Sequence, residues 1–226
     1  MKLIKKGKTK DVYALEDGNY LFKMKDDTTT DENGNFDPGR NKVGMTIDGL
    51  GKQSLALTSY YFKKLNDAGI YTHYVDSDLD NVTMTVRPAD MIGNGLEVIC
   101  RLKAAGSFLR RYGAYAAQGQ DLHYLIEFTL KDDDREDPPA SRETLVELGL
   151  MTDAEYDQCK NLAREITKIL DADLTSKGLT LYDIKYEFGR VDGRVALVDE
   201  ISGGIMRVFK DGNPVAPMDI NGYVIV

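Results

Sequence analysis

The sequence predicts an α+β fold, and three observations carry that prediction. β-forming segments crowd the first half, helical stripes enter later, and no regular strand–helix alternation of a parallel βαβ array runs through the chain. With 226 residues, 42% of them apolar, the chain can bury a sizeable core as one large domain or as two small subdomains sharing a cleft.

The elements follow in order. Residues Val12–Leu15 and Tyr20–Met24 flank Asp17-Gly18-Asn19, β-formers on either side of a turn, which reads as a hairpin. Residues Asp26–Gly51 are polar and glycine-rich with little periodicity and read as a long loop. From Lys52 to Ala68 the apolar residues Leu55, Tyr61, Phe62 and Leu65 form a helical stripe, with Gly69 placed as a C-terminal cap. Strands are expected at Thr72–Val75 and Asn81–Arg87. An apolar run, Leu96–Leu102, carries Arg101, and Leu122–Leu130 reads as a strand that ends at the acidic segment Lys131–Pro138. Thr152-Asp153-Ala154-Glu155 is a capping box. It opens a helix whose apolar face runs through Cys159, Leu162, Ile166, Ile169 and Leu170 and which ends before Gly178. Two strands, Leu179–Gly189 and Arg194–Ile201, close the pattern around Val191-Asp192-Gly193.

Composition excludes several function classes. Lys and Arg number 29 against 37 Asp and Glu, a formal charge of −8 with no block of one sign, which suits neither a nucleic-acid coat nor an anionic membrane surface. No stretch approaches the ~20 apolar residues of a membrane span, and the lysines of the N-terminus precede no apolar run of a signal peptide. Cys100 and Cys159 supply neither a disulfide framework nor zinc-ligand spacing, so a cytoplasmic protein is expected.

Four segments have the residue types for chemistry. If Lys6-Gly7-Lys8-Thr9-Lys10 is a strand, its three lysines project to one face, where a polyphosphate would relieve their repulsion; a solvated basic edge has the same sequence. Gly49-Leu50-Gly51-Lys52-Gln53-Ser54 imitates a phosphate-binding loop but fails the pattern twice, with Gln53 after the lysine and Thr46 where a glycine belongs. In Leu181–Gly189, period two puts Asp183, Lys185 and Glu187 on one face and Tyr182, Ile184, Tyr186 and Phe188 on the other; a half-solvated antiparallel strand shows that alternation too. The following strand ends in Asp199-Glu200, a carboxylate at a strand end where a hard cation is commonly held beside phosphates. A two-residue Asp192-Gly193 turn would pair Glu187 with Val198 and leave Glu200 on its face, whereas a three-residue loop would pair Glu187 with Asp199. Finally, small residues between basic ones in Arg101–Ser107 and Arg110-Arg111 suit an anion pocket or the start of a basic helix. His73 and His123 stand alone without a nucleophile motif and read as structural or surface residues, and Cys100 as a buried hydrophobe.

Taken together, Gly7–Tyr13, Lys64–Ile70, Glu97–Arg101 with Ala104–Ser107, Leu130–Asp133 with Asp137-Pro138, Asp183–Gly189 and Asp199-Glu200 resemble, in order and spacing over nearly the whole chain, the phosphoribosylaminoimidazole-succinocarboxamide synthase (SAICAR synthetase) family. The resemblance implies two subdomains with antiparallel sheets around an ATP cleft, residues 1–89 as a β-rich nucleotide-binding part reminiscent of a kinase small lobe and residues 90–226 as the substrate- and metal-binding part. It implies an ATP-dependent ligase of purine biosynthesis that joins L-aspartate to carboxyaminoimidazole ribonucleotide with ATP and Mg²⁺; a homo-oligomer is compatible with it. Lys8, Lys10, Met91, Lys131, Glu187 and Asp199 would contact the nucleotide, Glu187 and Asp199 through the metal. Arg101, Ser107, Ser202 and Arg207 would hold the substrates, and Asp183, Lys185 and Arg207 would be catalytic. The chain departs from the family pattern at Leu102, where an Asn is usual, and at Ser202-Gly203-Gly204, where Ser-Pro-Asp is usual. Those departures motivate one rival reading, the same chemistry on another carboxylate or amine; a second rival, of a different class, is a nucleotide-binding protein without catalysis. Two glycines at 203 and 204 would expose backbone amides to an anion.

Overall fold

A computed structural model describes residues 1–29, 43–135 and 137–225. The chain divides into two compact units. The first comprises Met1–Ala89, Glu200–Ile205 and Ala216–Val226, the second Asp90–Asp199 and Met206–Val215. The first boundary falls after residue 89, and two later segments, Glu200–Ile205 and Ala216–Val226, group with the first unit.

In the first unit, β1 (Lys2–Lys6), β2 (Lys10–Ala14) and β3 (Tyr20–Met24) form an antiparallel meander. The expected hairpin is β2–β3: Asn19 N–H donates to Asp17 Oδ1 at 3.0 Å, and Leu15 N–H to the Asn19 carbonyl at 2.9 Å. The expected continuous lysine strand is corrected. Lys6 ends β1, Lys10 begins β2, and Gly7-Lys8-Thr9 turns between them, closed by Gly7 N–H on the Lys10 carbonyl at 2.9 Å. The long-loop reading of 26–51 is also corrected, because β4 (Asp27–Thr29) pairs with β5 (Val43–Thr46) and the helix begins two residues earlier than expected; the middle of that loop, 30–42, lies outside the described residues. α1 (Leu50–Asp67) then buries Leu55, Leu57, Tyr61, Phe62 and Leu65. β6 (Tyr74–Asp78) and β7 (Thr83–Val86) complete a five-stranded sheet in the order β1-β2-β3-β7-β6. His73 is buried between the Phe22 and Phe62 rings, a structural position.

The second unit is built on a second antiparallel sheet. β8 (Asp90–Lys103) runs through its centre and begins six residues ahead of the apolar run expected from Leu96. That strand reaches farther than its apolar run because a bulge interrupts it: Phe188 pairs with Leu96, but the next residue, Gly189, pairs with Met91. α2 (Ser107–Tyr112), β9 (Asp121–Leu130), α3 (Arg142–Glu147) and α4 (Asp153–Ser176) follow. The predicted capping box is present in full, Thr152 Oγ1 accepting the Glu155 amide and the Glu155 carboxylate accepting the Thr152 amide. β10 (Thr180–Val191) and β11 (Arg194–Val198) turn on Asp192-Gly193, both with positive φ, as a two-residue hairpin requires. β12 (Met206–Lys210) and β13 (Asn213–Pro214) give the sheet order β13-β12-β10-β8-β9, with β11 also on β10. α5 (Ile220–Val224) returns to the first unit and packs on α1.

Candidate functional site

The sheet of the second unit has two faces, and strand periodicity assigns them. Val98 and Cys100 of β8 with Ile184, Tyr186 and Phe188 of β10 are buried under α4, where the Thr167 and Tyr186 hydroxyls lie 2.9 Å apart. Burial pushes the thiols of Cys100 and Cys159 up to about 11 and about 12, so both stay protonated and act as small hydrophobes. The opposite face carries Asp183, Lys185 and Glu187, as the alternation predicts. Antiparallel register adds Arg101 opposite Asp183, Ile99 opposite Lys185 and Glu97 opposite Glu187; on β12, Arg207 also pairs with Asp183. This face is not a solvated one. Arg101 is 1% exposed and Asp183 3% exposed as side chains, so its charges persist only because they are paired.

The pairs fall into two clusters. In the first, Arg101 Nη1 donates to Asp183 at 2.8 Å, Arg101 Nη2 to Ser107 Oγ at 2.9 Å, and Arg101 Nε to Glu127. Arg207 Nη1 donates to both Asp183 oxygens at 3.0 and 3.1 Å, and Arg111 Nη2 to Glu127 at 2.9 Å. The Arg207 guanidinium lies so close to the Gly106 backbone that a Cβ there would come within 2.5 Å of it. Three guanidinium groups against two carboxylates leave a surplus positive charge, which suits an anionic ligand. In the second cluster, Lys185 Nζ donates to Glu97 at 2.7 Å, Thr129 Oγ1 to Glu97 at 3.1 Å, and Lys131 Nζ to Glu187 at 2.7 Å. Burial alone would lower the Lys131 pKa, but the Glu187, Asp199 and Glu97 carboxylates outweigh it and hold the ammonium above the ordinary lysine range. Three carboxylates against two lysines give this cluster the opposite bias, toward a cation.

Of the two turns left open between β10 and β11, the structure has the two-residue one. The two-residue turn pairs Glu187 with Val198, the option that leaves Glu200 on Glu187's face if the strand continues. It does not continue. β11 ends at Val198, Asp199 adopts φ 71°, its charge acts on Lys131, and Glu200 accepts the Lys10 ammonium at 3.3 Å within the first unit. Lys8 is exposed in the turn before β2, and Met91 is 40% exposed at the start of β8. Ser202, buried in the first unit, accepts the Gly204 amide on its hydroxyl at 3.2 Å. The reading of Gly203 as an open anion contact is corrected, since a Cβ at 203 would meet the Pro217 carbonyl oxygen at 2.4 Å: the glycine permits the chain's own close packing. The imitation phosphate loop is the start of α1, its Gly51 amide bonded to Asp26.

Sequence reasoning placed Arg111 only within the basic segment that follows Ser107, and missed Glu97 and Glu127 as members of these clusters. The one available signal was an acid flanked by apolar residues in each strand, Leu96-Glu97-Val98 and Ile126-Glu127-Phe128. Among the described residues, no three His, Cys, Asp or Glu side chains gather as a metal site, and no helix is long and apolar enough to cross a membrane.

An arginine-rich and a carboxylate-rich cluster on one sheet face give this α+β protein a place suited to an anionic ligand beside one suited to a cation. The profile of the SAICAR synthetase family matches residues 3–219. The chain is 53% identical to the phosphoribosylaminoimidazole-succinocarboxamide synthase of Clostridium tetani, with 100% of both chains covered. Among solved structures, the phosphoribosylaminoimidazole-succinocarboxamide synthase of Ehrlichia chaffeensis superposes with a TM-score of 0.84 at 28% identity, covering 99% of this chain and 94% of the other. A SAICAR synthetase in complex with ADP gives a TM-score of 0.83 at 27% identity over 96% and 89% of the two chains. The chain belongs to the SAICAR synthetase family.

Proposed function

We propose that the chain joins L-aspartate to carboxyaminoimidazole ribonucleotide in an ATP-driven carbon–nitrogen ligation, the SAICAR-forming step of purine biosynthesis. The geometric observation that carries this reading is the sheet face where Arg101, Ser107 and Arg207 gather around Asp183 beside the Lys185–Glu97 and Lys131–Glu187 pairs. The full-length relative of the same name favours it over a paralogue with another substrate pair, and a related structure holds ADP.

A carboxylate does not accept an amine at neutral pH, because it lacks a leaving group. Transfer of the γ-phosphoryl group of ATP to a carboxylate oxygen of the ribonucleotide breaks the bond from that phosphorus to the β-bridging oxygen and yields ADP and an acyl phosphate. The aspartate amine then attacks the acyl carbon, the C–O bond breaks, and phosphate and a proton leave. Such chemistry runs mainly on positioning and charge neutralisation. In this reading Arg101, Ser107 and Arg207 hold the ribonucleotide, and Asp183 fixes the two guanidinium groups against each other. Lys185 places a positive charge where the transferred group gains negative charge. Lys8 and Lys10 take phosphates of ATP, Met91 lies by the adenine, and Lys131 stands beside the nucleotide.

Glu187 and Asp199 are the residues that would hold Mg²⁺. Their fit rests on the donor chemistry: both are hard oxygen ligands, and the Lys131 ammonium already sits in their joint field. Two protein carboxylates suit an ion that keeps several waters and phosphate oxygens. When bound, it neutralises phosphate charge.

The test is ADP release with Mg-ATP, the ribonucleotide and each amino acid in turn. Turnover that depends on aspartate is expected. Turnover with a different amine or carboxylate only, or ATP binding without turnover, would replace this reading with one of its rivals.

A further inference from the structure

Glu127 has no part in the mechanism above, yet both its oxygens are engaged at the edge of the arginine cluster. It stands on β9 opposite Ile99, between the apolar residues Ile126 and Phe128, with 13% of its side chain exposed. A carboxylate so largely removed from water persists only if its oxygens are satisfied. Here Oε2 accepts from Arg101 Nε on the neighbouring strand, and Oε1 accepts from Arg111 Nη2 on α2 at 2.9 Å. One side chain therefore ties two arginines from different elements together.

The donor count shows what this does for Arg101. A guanidinium offers five N–H groups. Among the described residues, Glu127 takes the Nε–H, Asp183 one on Nη1 and Ser107 one on Nη2, which leaves one N–H on each terminal nitrogen. Asp183 and Ser107 hold only those outer nitrogens, so Glu127 is the group that locks the inner edge of the plane. Arg111 depends on the same residue, for its buried Nε has no hydrogen-bond partner among the described residues and its Nη2 is on Glu127.

We propose that Glu127 is a positioning residue for the phosphate of the ribonucleotide substrate, holding Arg101 and Arg111 so that the remaining N–H groups meet that anion in a fixed orientation. The proposal rests on the reading that the Arg101–Ser107–Arg207 cluster takes the phosphate of the ribonucleotide.

Its sign separates it from a role in charge balance alone. Glu127→Gln removes a negative charge from the cluster, so simple electrostatics would tighten anion binding, whereas lost orientation loosens it. Glu127→Asp keeps the charge but is one methylene too short to span both arginines, and it should loosen binding as well. The experiment measures the affinities of carboxyaminoimidazole ribonucleotide and of its nucleoside, which lacks the phosphate, for the wild type, both Glu127 variants and Arg101→Lys, together with KM for ATP. We expect both Glu127 variants to weaken the ribonucleotide by about tenfold or more, the scale of one charge-assisted hydrogen bond, with nucleoside binding and KM for ATP nearly unchanged. Unchanged or tighter ribonucleotide binding in Glu127→Gln, or equal losses for nucleotide and nucleoside, overturns the proposal. If Arg101→Lys leaves the nucleotide-to-nucleoside ratio intact, the cluster is not the phosphate site, and the underlying reading falls and the proposal with it. If a loss in Arg101→Lys is not matched in the Glu127 variants, only the positioning role falls. Should Glu127→Gln not fold, Arg111→Gln breaks one arm from its more exposed end, and a ribonucleotide-specific loss of a few-fold is expected there; no loss overturns the proposal.

Discussion

Asp199 and Glu200 are neighbours in sequence with opposite destinies. Asp199, at φ 71°, directs its charge to Lys131, while Glu200 is 8% exposed and accepts from Lys10 at 3.3 Å and Thr9 at 3.5 Å. Their variants should therefore differ in kind. Glu187→Gln and Asp199→Asn each remove one hard anionic ligand and leave the shape, so both should lose most turnover and raise the Mg²⁺ concentration needed for half-maximal rate. Glu200→Gln should leave that requirement in place and act through Lys10. A Mg²⁺ titration of the three variants decides the matter, and a wild-type requirement in both Glu187→Gln and Asp199→Asn would remove the metal assignment. The two lysines differ as well. Lys10→Ala strands a buried carboxylate, a change that can cost about 3–5 kcal/mol of stability in a fully buried pair. Exposed Lys8 is the cleaner probe: Lys8→Ala should weaken ATP binding by about tenfold and AMP much less, and equal losses for the two nucleotides would argue against a phosphate contact.

Among the elements, α4 shows how far local sequence reaches. Its capping box was legible because Thr152 and Glu155 lie within one turn and interact through the backbone. The other partner of Glu155 was not legible, since Arg190 arrives from β10, with Nε 2.5 Å from Oε1. The same limit hid the bulge in β8, where the break in pairing belongs to two strands at once, and hid Glu127, whose arginines come from β8 and α2. The period-two face of Asp183, Lys185 and Glu187 was visible from one strand; that it is paired, and buried at Asp183, required the neighbours. The Arg190 bond, aided by the Thr152 contacts, lowers the Glu155 pKa from 4.5 to about 2. A carboxyl depressed in the folded state contributes stability that is complete above its unfolded value and is lost as pH falls through the folded one. The window is thus from about pH 4.5 down to about pH 2, and solvent screening of this partly exposed pair keeps the contribution to about 1 kcal/mol at neutral pH. Urea unfolding across that range should show a shallower pH dependence for Glu155→Gln than for the wild type, and parallel profiles would show that the Arg190 pair carries no linkage.

At the scale of the whole molecule, the chain crosses between its two units repeatedly, leaving the second for Glu200–Ile205 and again for Ala216–Val226. Nothing local in those segments announces which unit they join; the membership is decided by long-range contacts with α1. Thr58 Oγ1 donates to the Ile201 carbonyl at 3.1 Å, and Asn221 Nδ2 donates to the Gln53 carbonyl at 2.8 Å and to its side-chain oxygen at 2.6 Å. Ile220 and Val224 are almost completely buried, 1% and 3% exposed. Burying two such side chains is worth about 1.5–3 kcal/mol each, and each hydrogen bond about 1 kcal/mol. Ending the chain at Val215 should therefore remove roughly 5 kcal/mol from the first unit, comparable with the whole stability of a small domain. β12 and β13 of the second unit remain in the shortened chain. Hydrogen exchange should then show protection falling in β1–β3, β6, β7 and α1, while the amides of β8, β9, β10 and α4 stay protected. Protection lost to the same extent in both sheets would mean that the chain unfolds as one cooperative whole, and that the returning C-terminal segment stabilises more than the unit it packs in.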